Sequence, residues 1–463
     1  MTAPQRLTRQ SADLGPAAPV RMVHLGLGNF FRAHQAWYTA GATDAADWGT
    51  AAFTGHSTEL AEKLTAQDGL YTLITRAADG DSVAIIPTLS RTHPGSATTL
   101  LVSYLADPAV KVITLTVTEA GYLRGPDGGL NRQAPDVLAD ADAVRRGDDS
   151  ALRSTPGRLV AGLLARRATG GGPLAIVPCD NVPENGRVAA TVVGDFTALV
   201  DRTLSPWIEQ NVRFVTTMVD RITPATTDSD IDAAAELNGL ADAAPVVTEP
   251  FSEWVLSGDF PGGRPTWETA GARFVADIAP FEERKLWLLN GGHSLLAYAA
   301  SARGHTTIAQ AMDDPTCRDW LEQWWDEAAA HLTLPAADIA DYRAALVERF
   351  TNPRIRHLLA QIAADGSHKI PIRVIPVLRR ELNAGRLPAG AIRMVAAWIN
   401  HLRGAGAPVK DAGDQVVQLA AGPLKEAAVR IIGFLDPALA SDHPLADAVT
   451  QACRDLAAGQ HII

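Results

Sequence analysis

Short β-type runs alternate with helical patterns through the first half of the chain. The runs are VRMVHLGLG (20–28), TAAFTG (50–55), YTLITRA (71–77), VAIIPTLS (83–90), VKVITLTVT (110–118), LAIVPC (174–179) and VRFVTTMVD (212–220). Several are almost continuously apolar and rich in Val, Ile and Thr, which predicts strands buried on both faces of a parallel sheet covered by helices. Between them, TPGRLVAGLLARRA (155–168) and GRVAATVVGDFTALV (186–200) carry helical spacing. Alternation of this kind predicts an α/β, doubly wound domain.

From about Phe281 onward the strand signal fades. PTCRDWLEQWWDEAAAHL (315–332), DIADYRAALVERF (338–350), AIRMVAAWINHLRG (391–404) and LKEAAVRIIGFL (424–435) repeat their apolar residues at helical spacing, so a mainly α-helical second domain is expected. The Gly- and Pro-bearing SGDFPGGRPTWE (257–268) breaks regular structure, and the joint falls there or just after it. The expected division is 1–278 and 279–463. A length of 463 residues agrees, because single cores stop growing near about 250–300 residues.

Composition narrows the function. Hydrophobic residues make up 47% and charged residues 20%, which excludes a disordered chain and a disulfide scaffold. The 52 acidic residues outnumber the 41 basic ones, for a formal net charge of −11. An acidic surface repels phosphate backbones, so no nucleic-acid partner is expected. Cys179, Cys317 and Cys453 are scattered, with no CxxC and no metal-ligand spacing. A reducing cytoplasm fits them. MTAPQRLTRQSADLG has no apolar signal core, and no run of about 18 apolar residues suggests a membrane span. A cytoplasmic enzyme of small molecules is the expectation.

The first run ends in Gly26-Leu-Gly28 and leads into a helical pattern. A strand–glycine–helix junction lets backbone approach a pyrophosphate at a helix N-terminus; the plainer alternative is a tight turn between strand and helix, and the place of the loop after the first strand of an α/β pattern favours the cofactor reading. Phe31 stands where a third glycine is usual. Arg32 and His34 can reach phosphate or ribose, or be solvated. At the end of the next run, Phe53-Thr54-Gly55-His56-Ser57, there is neither the acid of an NAD reader nor the Arg of an NADP reader, and Glu59 comes late. NAD is preferred because no cationic 2′-phosphate pocket is visible, with NADP left open.

PFEERKLWLLNGGHSLLAYAA (280–300) is the most informative segment. At about 100° per residue, with Lys285 at 0°, Glu282 falls at about 60°, His293 at about 80° and Asn290 at about 140°. Four polar groups share one sector of a helix that is otherwise apolar all round and therefore expected to be buried. A buried lysine is costly unless it is paired or its pKa falls. Two adjacent glycines, Gly291 and Gly292, cost roughly 1 kcal/mol each in a helix interior, so the close approach of a ligand or another backbone is expected there. The plainer reading is a lysine that snorkels to the surface beside satisfied core polars. A desolvated lysine can act as a general base, and Asn can stabilise an oxyanion. His293 can orient a hydroxyl and Glu282 can relay the proton. No YxxxK pair, P-loop, GxSxG elbow or HExxH is present, so a metal-free lysine mechanism is expected.

These residues carry a resemblance. GLGNFFRAHQ (26–35), QDGLYTL (67–73), TVTEAGY (116–122), CDNVPENG (179–186), TMVDRITP (217–224), EPFSEWV (249–255), RPTWETAGARFV (264–275) and KLWLLNGGHS (285–294) resemble the mannitol dehydrogenase family of long-chain polyol dehydrogenases, which also contains fructuronate and tagaturonate reductases and arabinitol dehydrogenases. The resemblance covers nearly the whole chain. It implies an N-terminal Rossmann-type NAD-binding domain (1–278) and an α-helical substrate and catalytic domain (279–463). Lys285 matches the family's general base, Asn290 and Asn181 its oxyanion-binding asparagines, His293 its substrate-positioning histidine and Glu282 its proton relay. Asp220 looks like a substrate-hydroxyl contact. Gly26 and Gly28 match a cofactor loop whose family form has Phe31, and Asn29 and Arg32 belong to the same loop.

SHKIPIRVIPVLRREL (367–382) resembles a segment that lines the family's substrate pocket. Lys369 and Arg373 can hydrogen-bond polyol hydroxyls or pair with a carboxylate, and Arg373 can also be an exposed helix charge. The expected function is NAD-dependent interconversion of a polyol with its ketose at C2, as in mannitol to fructose. The alternatives are a fructuronate reductase acting on a hexuronate and a non-catalytic nucleotide or sugar sensor.

Overall fold

The structure is a computed structural model describing residues 4–55, 57–411 and 414–459; His56 lies outside the described residues. The chain divides into two compact units, Met1–Ala279 and Pro280–Ile463.

In the first unit, β1 (Val20–Leu25), β2 (Gly49–Phe53), β3 (Leu89–His93), β4 (Val112–Leu115), β5 (Leu174–Pro178) and β6 (Val212–Phe214) form one sheet in the order β3-β2-β1-β4-β5-β6. Every neighbouring pair is parallel. β2, β4 and β5 are buried at every position, as their unbroken apolar runs predict. Side chains alternate across the sheet. Ile113 and Leu115 pack with Val160, Leu163 and Phe196 on one face, while Val112 packs with Val177, Trp254 and Trp267 on the other. The first face is covered by two helices, Thr155–Thr169 and Asn185–Val200, and Ser154 caps the former by accepting from the Gly157 N–H. Gly170, in the left-handed region at φ 68°, ends that helix.

Three runs depart from expectation. YTLITRA supplies Tyr71–Arg76, which lies outside the main sheet. VAIIPTLS divides between two strands, because Pro87 has no N–H to continue a ladder. Asp81–Ile86 pairs antiparallel with Tyr71–Arg76 and alternates between partial burial and exposure, while Leu89–His93 is the edge strand β3. VRFVTTMVD also divides. The Val215 N–H donates to Ile176 O at the end of the β5–β6 pairing, after which Thr216–Asp220 pairs antiparallel with Glu253–Ser257 in a separate three-stranded sheet. That second sheet supplies Val219, Trp254 and Leu256 to the apolar layer over the main one.

The second unit is helical throughout its named elements, among them Pro315–Ala329, Ala336–Thr351, Gly366–Arg373, Ile375–Asn383, Ala389–Leu402, Leu424–Leu435 and His443–Ala458. Its central segment is not the uniform α-helix that the 100° spacing assumes. Ala279–Arg284 is α-helical, Lys285–Gly291 is wound as a π-helix, Gly292–Leu295 returns to α and Leu296–Ala300 is again π. The π turns bond i to i+5 and widen the turn. They are held from outside: Trp324 Nε1 donates to Trp287 O at 2.8 Å and Trp325 Nε1 to Leu288 O at 2.9 Å.

The same two indoles account for the adjacent glycines, so neither ligand nor backbone approach is needed. A Cβ on Gly291 would lie 2.8 Å from Trp324 Nε1, and one on Gly292 would lie 2.9 Å from Leu321 Cδ1 and 3.2 Å from Trp325 Nε1. Both tryptophans are fully buried and cannot yield. Gly291→Ala should therefore destabilise, its helix-propensity gain of about 1 kcal/mol being outweighed by an overpacking cost of about 1–3 kcal/mol. A melting temperature below that of the unchanged protein is the expected reading; an increase would mean the indole shifts freely.

Candidate active site

β1 lies between β2 and β4, where the strand order reverses, and in open α/β sheets ligands bind outside the carboxyl ends of the strands at such a point. Two pockets open there. One, of about 280 Å³, is bounded by Gly26, Thr54, Gly55 and Thr116 with residues from the start of Thr155–Thr169. The other, of about 300 Å³, is bounded by Phe30, Thr118, Glu119, Cys179, Asn181 and Val219.

The glycine loop is shaped by two different demands. Gly26 has φ 105°, and a Cβ there would lie 2.2 Å from Thr116 O, so the protein itself requires glycine. At Gly28 a Cβ would meet only Gly26 O at 3.6 Å, so the bare side faces open space. Phe31, in the place of a third glycine, stacks on the His24 ring at 3.4 Å. His24 is held by Thr114 Oγ1 at 2.8 Å and Thr116 Oγ1 at 3.1 Å, and burial pushes its pKa down to about 3, so it is neutral.

Arg32 does not serve the loop in the way its position suggests. It is buried, with Nε donating to Gly28 O at 3.2 Å, Nη2 to Asn29 Oδ1 at 2.7 Å and Nη1 to Ala244 O. These bonds tie the loop to the strand beginning at Val246, so Arg32 braces the loop and is neither solvated nor turned to a phosphate. Asn29 is likewise engaged, its Nδ2 donating to Thr226 Oγ1 at 3.1 Å. His34 is buried, with Nε2 at 3.0 Å from Glu253 O, and does not reach towards solvent. Glu59 pairs with Lys63 on an exposed helix face.

Asn181 is exposed on the turn after β5. The preceding Asp180 orders that turn by accepting from Tyr122 Oη and from the Val182 N–H at 3.0 Å. Asn185 is fully buried and bridges to the second sheet: its Nδ2 donates to Thr217 O at 3.0 Å and its Oδ1 accepts from Thr217 N at 2.9 Å. Asp220, at the end of that strand, is buried and lies in register with Glu253. Cys179 lines the pocket, but burial pushes its thiol up and it stays protonated.

In the second unit, Lys285 is the first residue of the π stretch and is 8% exposed. Asn290 follows at i+5, the spacing that a π turn places on successive turns, whereas an α-helix would set the pair about 140° apart. Glu282 lies three residues before Lys285 on the α-helical turn, partly buried. His293 is buried between Phe350, stacked at 4.5 Å, and His357, edge-on at 4.6 Å, and its Nε2 has no hydrogen-bond partner among the described residues. Arg373 reaches the same helix, with Nη1 donating to Asn290 O at 3.3 Å and Ser294 Oγ at 3.1 Å, while its buried Nε has no partner among the described residues. It is therefore not an exposed helix charge. Lys369 is turned to the backbone, donating to Ile362 O at 3.1 Å and Ala364 O at 2.5 Å.

Electrostatics favour neutral imidazoles in this wall. Burial, then His357 and the nearby Arg349 and Arg373, holds His293 well below the usual range, and burial with Arg349 pushes His357 down to about 4. The folded pKa values lie below the unfolded value near 6.5. Their stabilising contribution is therefore present above pH 6.5 and lost as pH falls towards the folded values, where the unfolded chain binds more protons. With His24, three histidines act together, so the melting temperature should drop steeply between pH 6.5 and 4. His357→Asn should make that slope shallower by about one proton; an unchanged slope would remove His357 from the account.

His305, Asp314 and Cys317 bring their ligand-type atoms within 4.8 Å, a grouping hidden by their sequence spacing. Arg303 Nε already pairs with Asp314 at 2.7 Å, and burial pushes Cys317 up to about 12, so this cluster is built as an ion pair.

Residues 20–269 match the model of the mannitol dehydrogenase Rossmann domain, and residues 277–432 match that of the mannitol dehydrogenase C-terminal domain. The chain belongs to the mannitol dehydrogenase family. The D-mannonate oxidoreductase of Escherichia coli (strain K12) is 38% identical over 395 residues, 83% of this chain and 80% of that protein. The mannitol 2-dehydrogenase of Pseudomonas fluorescens, solved as a ternary complex with NAD and D-mannitol, superposes with a TM-score of 0.83 at 29% identity, covering 98% of each chain. A D-sorbitol dehydrogenase in substrate-free form superposes with a TM-score of 0.89 at 26% identity over 98% of this chain and 99% of that one. As a member of the mannitol dehydrogenase family the chain is an oxidoreductase acting on CH–OH groups. Among the described residues, no helix of this family member is long and apolar enough to cross a membrane.

Two residues of the site region escaped the sequence reading. His357 meets His293 only through the tertiary fold, and nothing in NPRIRH (352–357) marks it. Asn185 could have been found, since a polar residue opening an apolar helix beside a site turn asks for a partner.

Proposed function

We propose that this mannitol dehydrogenase family member is an NAD-dependent, metal-independent dehydrogenase of a secondary alcohol in an open-chain sugar derivative. The observation that carries the reading is the buried Lys285 heading a π stretch, with Asn290 at i+5 and the unpartnered Nε2 of His293 on the helical segment that follows. Two features support a dinucleotide: the bare side of Gly28 and the paired pockets at the strand-order reversal. Gly26, Gly28 and the backbone of Asn29 and Phe31 would hold it. When bound, NAD accepts the hydride at nicotinamide C4 as the alcohol carbon becomes a carbonyl.

The chain's own residues manage the proton and the oxygen. Lys285 Nζ takes the hydroxyl proton, and Glu282 passes it on to water. Asn290 Nδ2, with Asn181 by the family resemblance, donates to the oxygen as charge develops on it. His293, neutral, hydrogen-bonds a substrate hydroxyl through Nε2, and Asp220 accepts from another.

For the substrate, a polyol oxidised at C2, as mannitol is to fructose, accords with the two structural relatives. A second reading, a sugar acid such as mannonate, is favoured by Arg373. Its guanidinium meets a carbonyl and a hydroxyl but no carboxylate among the described residues, and a desolvated cation is stabilised by an anion. NADH formation measured over mannitol, arabinitol and mannonate distinguishes the two. No absorbance change with any of them, despite tight NAD binding, would overturn the enzymatic reading in favour of a sensor.

A further inference from the structure

The pocket of about 280 Å³ in the first unit holds charged groups that the proposed chemistry leaves unused. Arg153, Ser154, Thr155 and Arg158, at and just before the start of Thr155–Thr169, line it together with Thr54 and Gly55 at the tip of β2. The Arg158 guanidinium makes no hydrogen bond or ion pair among the described residues, and its Nε is buried without a partner. The carboxylate whose charge it feels, Asp140, is already committed: it accepts from Arg153 N at 2.9 Å, Ser154 N at 2.7 Å and Ser154 Oγ at 2.6 Å. The carboxylate lining the pocket, Asp136, is exposed and lies 3.9 Å from Arg153. Arg153 is thus balanced at the rim, and Arg158 is left as an unmatched cation within.

An unpaired, desolvated guanidinium is costly unless an anion meets it, and its fork suits phosphate oxygens. Dinucleotide-binding domains that read a ribose 2′-hydroxyl place an acid at the second strand's end, and those that take a 2′-phosphate place an arginine nearby. Here the tip runs Phe53-Thr54-Gly55 without a carboxylate, and an arginine shares its pocket. We propose that Arg158, backed by Arg153, binds the 2′-phosphate of NADP, so that the enzyme uses NADP alongside NAD. This rests on the reading of the chain as a nicotinamide-dependent dehydrogenase.

The test compares adenosine 2′,5′-bisphosphate with 5′-AMP, which differ only in the 2′-phosphate, by calorimetry on the full chain. The unchanged protein should bind the bisphosphate at least about tenfold more tightly. Arg158→Gln should abolish that advantage, and Arg158→Lys should keep part of it. In parallel, Arg158→Gln should lower the ratio of kcat/KM for NADP to that for NAD by at least about tenfold. Equal binding of the two nucleotides by the unchanged protein overturns the inference and leaves the dehydrogenase reading intact. So does an Arg158→Gln variant that weakens both nucleotides alike, since Arg158 would then meet the 5′-phosphate or the adenine. Failure to bind either nucleotide, or NAD itself, overturns the dehydrogenase reading and the inference with it.

Discussion

Lys285→Ala should lower kcat by about 10²–10⁴-fold with any accepted substrate, the range that a positioned general base supplies. The chain should keep its fold, because the segment carrying Lys285 is held by Trp324 and Trp325 through the carbonyls of Trp287 and Leu288, none of which the substitution touches. The proposed base is an amine, so a small primary amine added to the buffer should restore part of the rate, most strongly where the free amine predominates. Stopped-flow NADH formation with and without ethylamine, together with a circular dichroism melt, tests both halves. Near-normal turnover in a folded Lys285→Ala protein would eliminate the mechanism.

Arg373→Leu separates the two substrate readings. If the substrate is a sugar acid, the guanidinium pairs with its carboxylate, and truncating one partner of such a buried pair costs about 2–5 kcal/mol. That corresponds to a loss of roughly 30- to several-thousand-fold in kcat/KM for mannonate. Lysine should not restore it, since an ammonium lacks the planar fork. If the substrate is a polyol, Arg373 acts mainly by holding Asn290 O and Ser294 Oγ, and the loss should be smaller and similar for every polyol. An equal loss for mannitol and mannonate would remove the carboxylate role.

The doubly wound half was legible because its strands are apolar on both faces, a pattern that amphipathic elements cannot imitate. The two runs that divided, at Pro87 and Val215, were misleading for opposite reasons. Pro87 is a visible break that an otherwise apolar stretch masked. Val215 changes sheets without any local mark, because its backbone partner, Ile176 O, lies far along the chain. The polar sector on the lysine helix was readable, but its geometry was not: π winding depends on indoles contributed by another helix, which no local periodicity encodes. Gly291 and Gly292 were rightly singled out as needing a cause, and that cause is packing against Leu321, Trp324 and Trp325. Arg32 and Lys369 show the general limit. A cation near a motif is visible in the sequence, but whether its donors are spent on Ala244 O or Ile362 O is decided by tertiary structure.

The π winding of Lys285–Gly291 also bears on how this gene can change. A segment that bonds i to i+5 accommodates more residues per turn than an α-helix, so losing one residue between Lys285 and His293 would let it relax to ordinary winding without leaving a gap. Secondary structure would survive such a deletion, and because the wide turn absorbs the lost residue the positions beyond it would keep their facing, while Asn290 would move from i+5 to i+4 of Lys285. The proposed oxygen-binding Asn290, rather than His293, would then change its place relative to Lys285. Substitutions along the apolar positions of this stretch should be tolerated in proportion to volume, whereas single-codon deletions between Lys285 and Asn290 should yield folded protein with impaired turnover. A deletion scan across 285–293 read for both solubility and turnover would register that asymmetry.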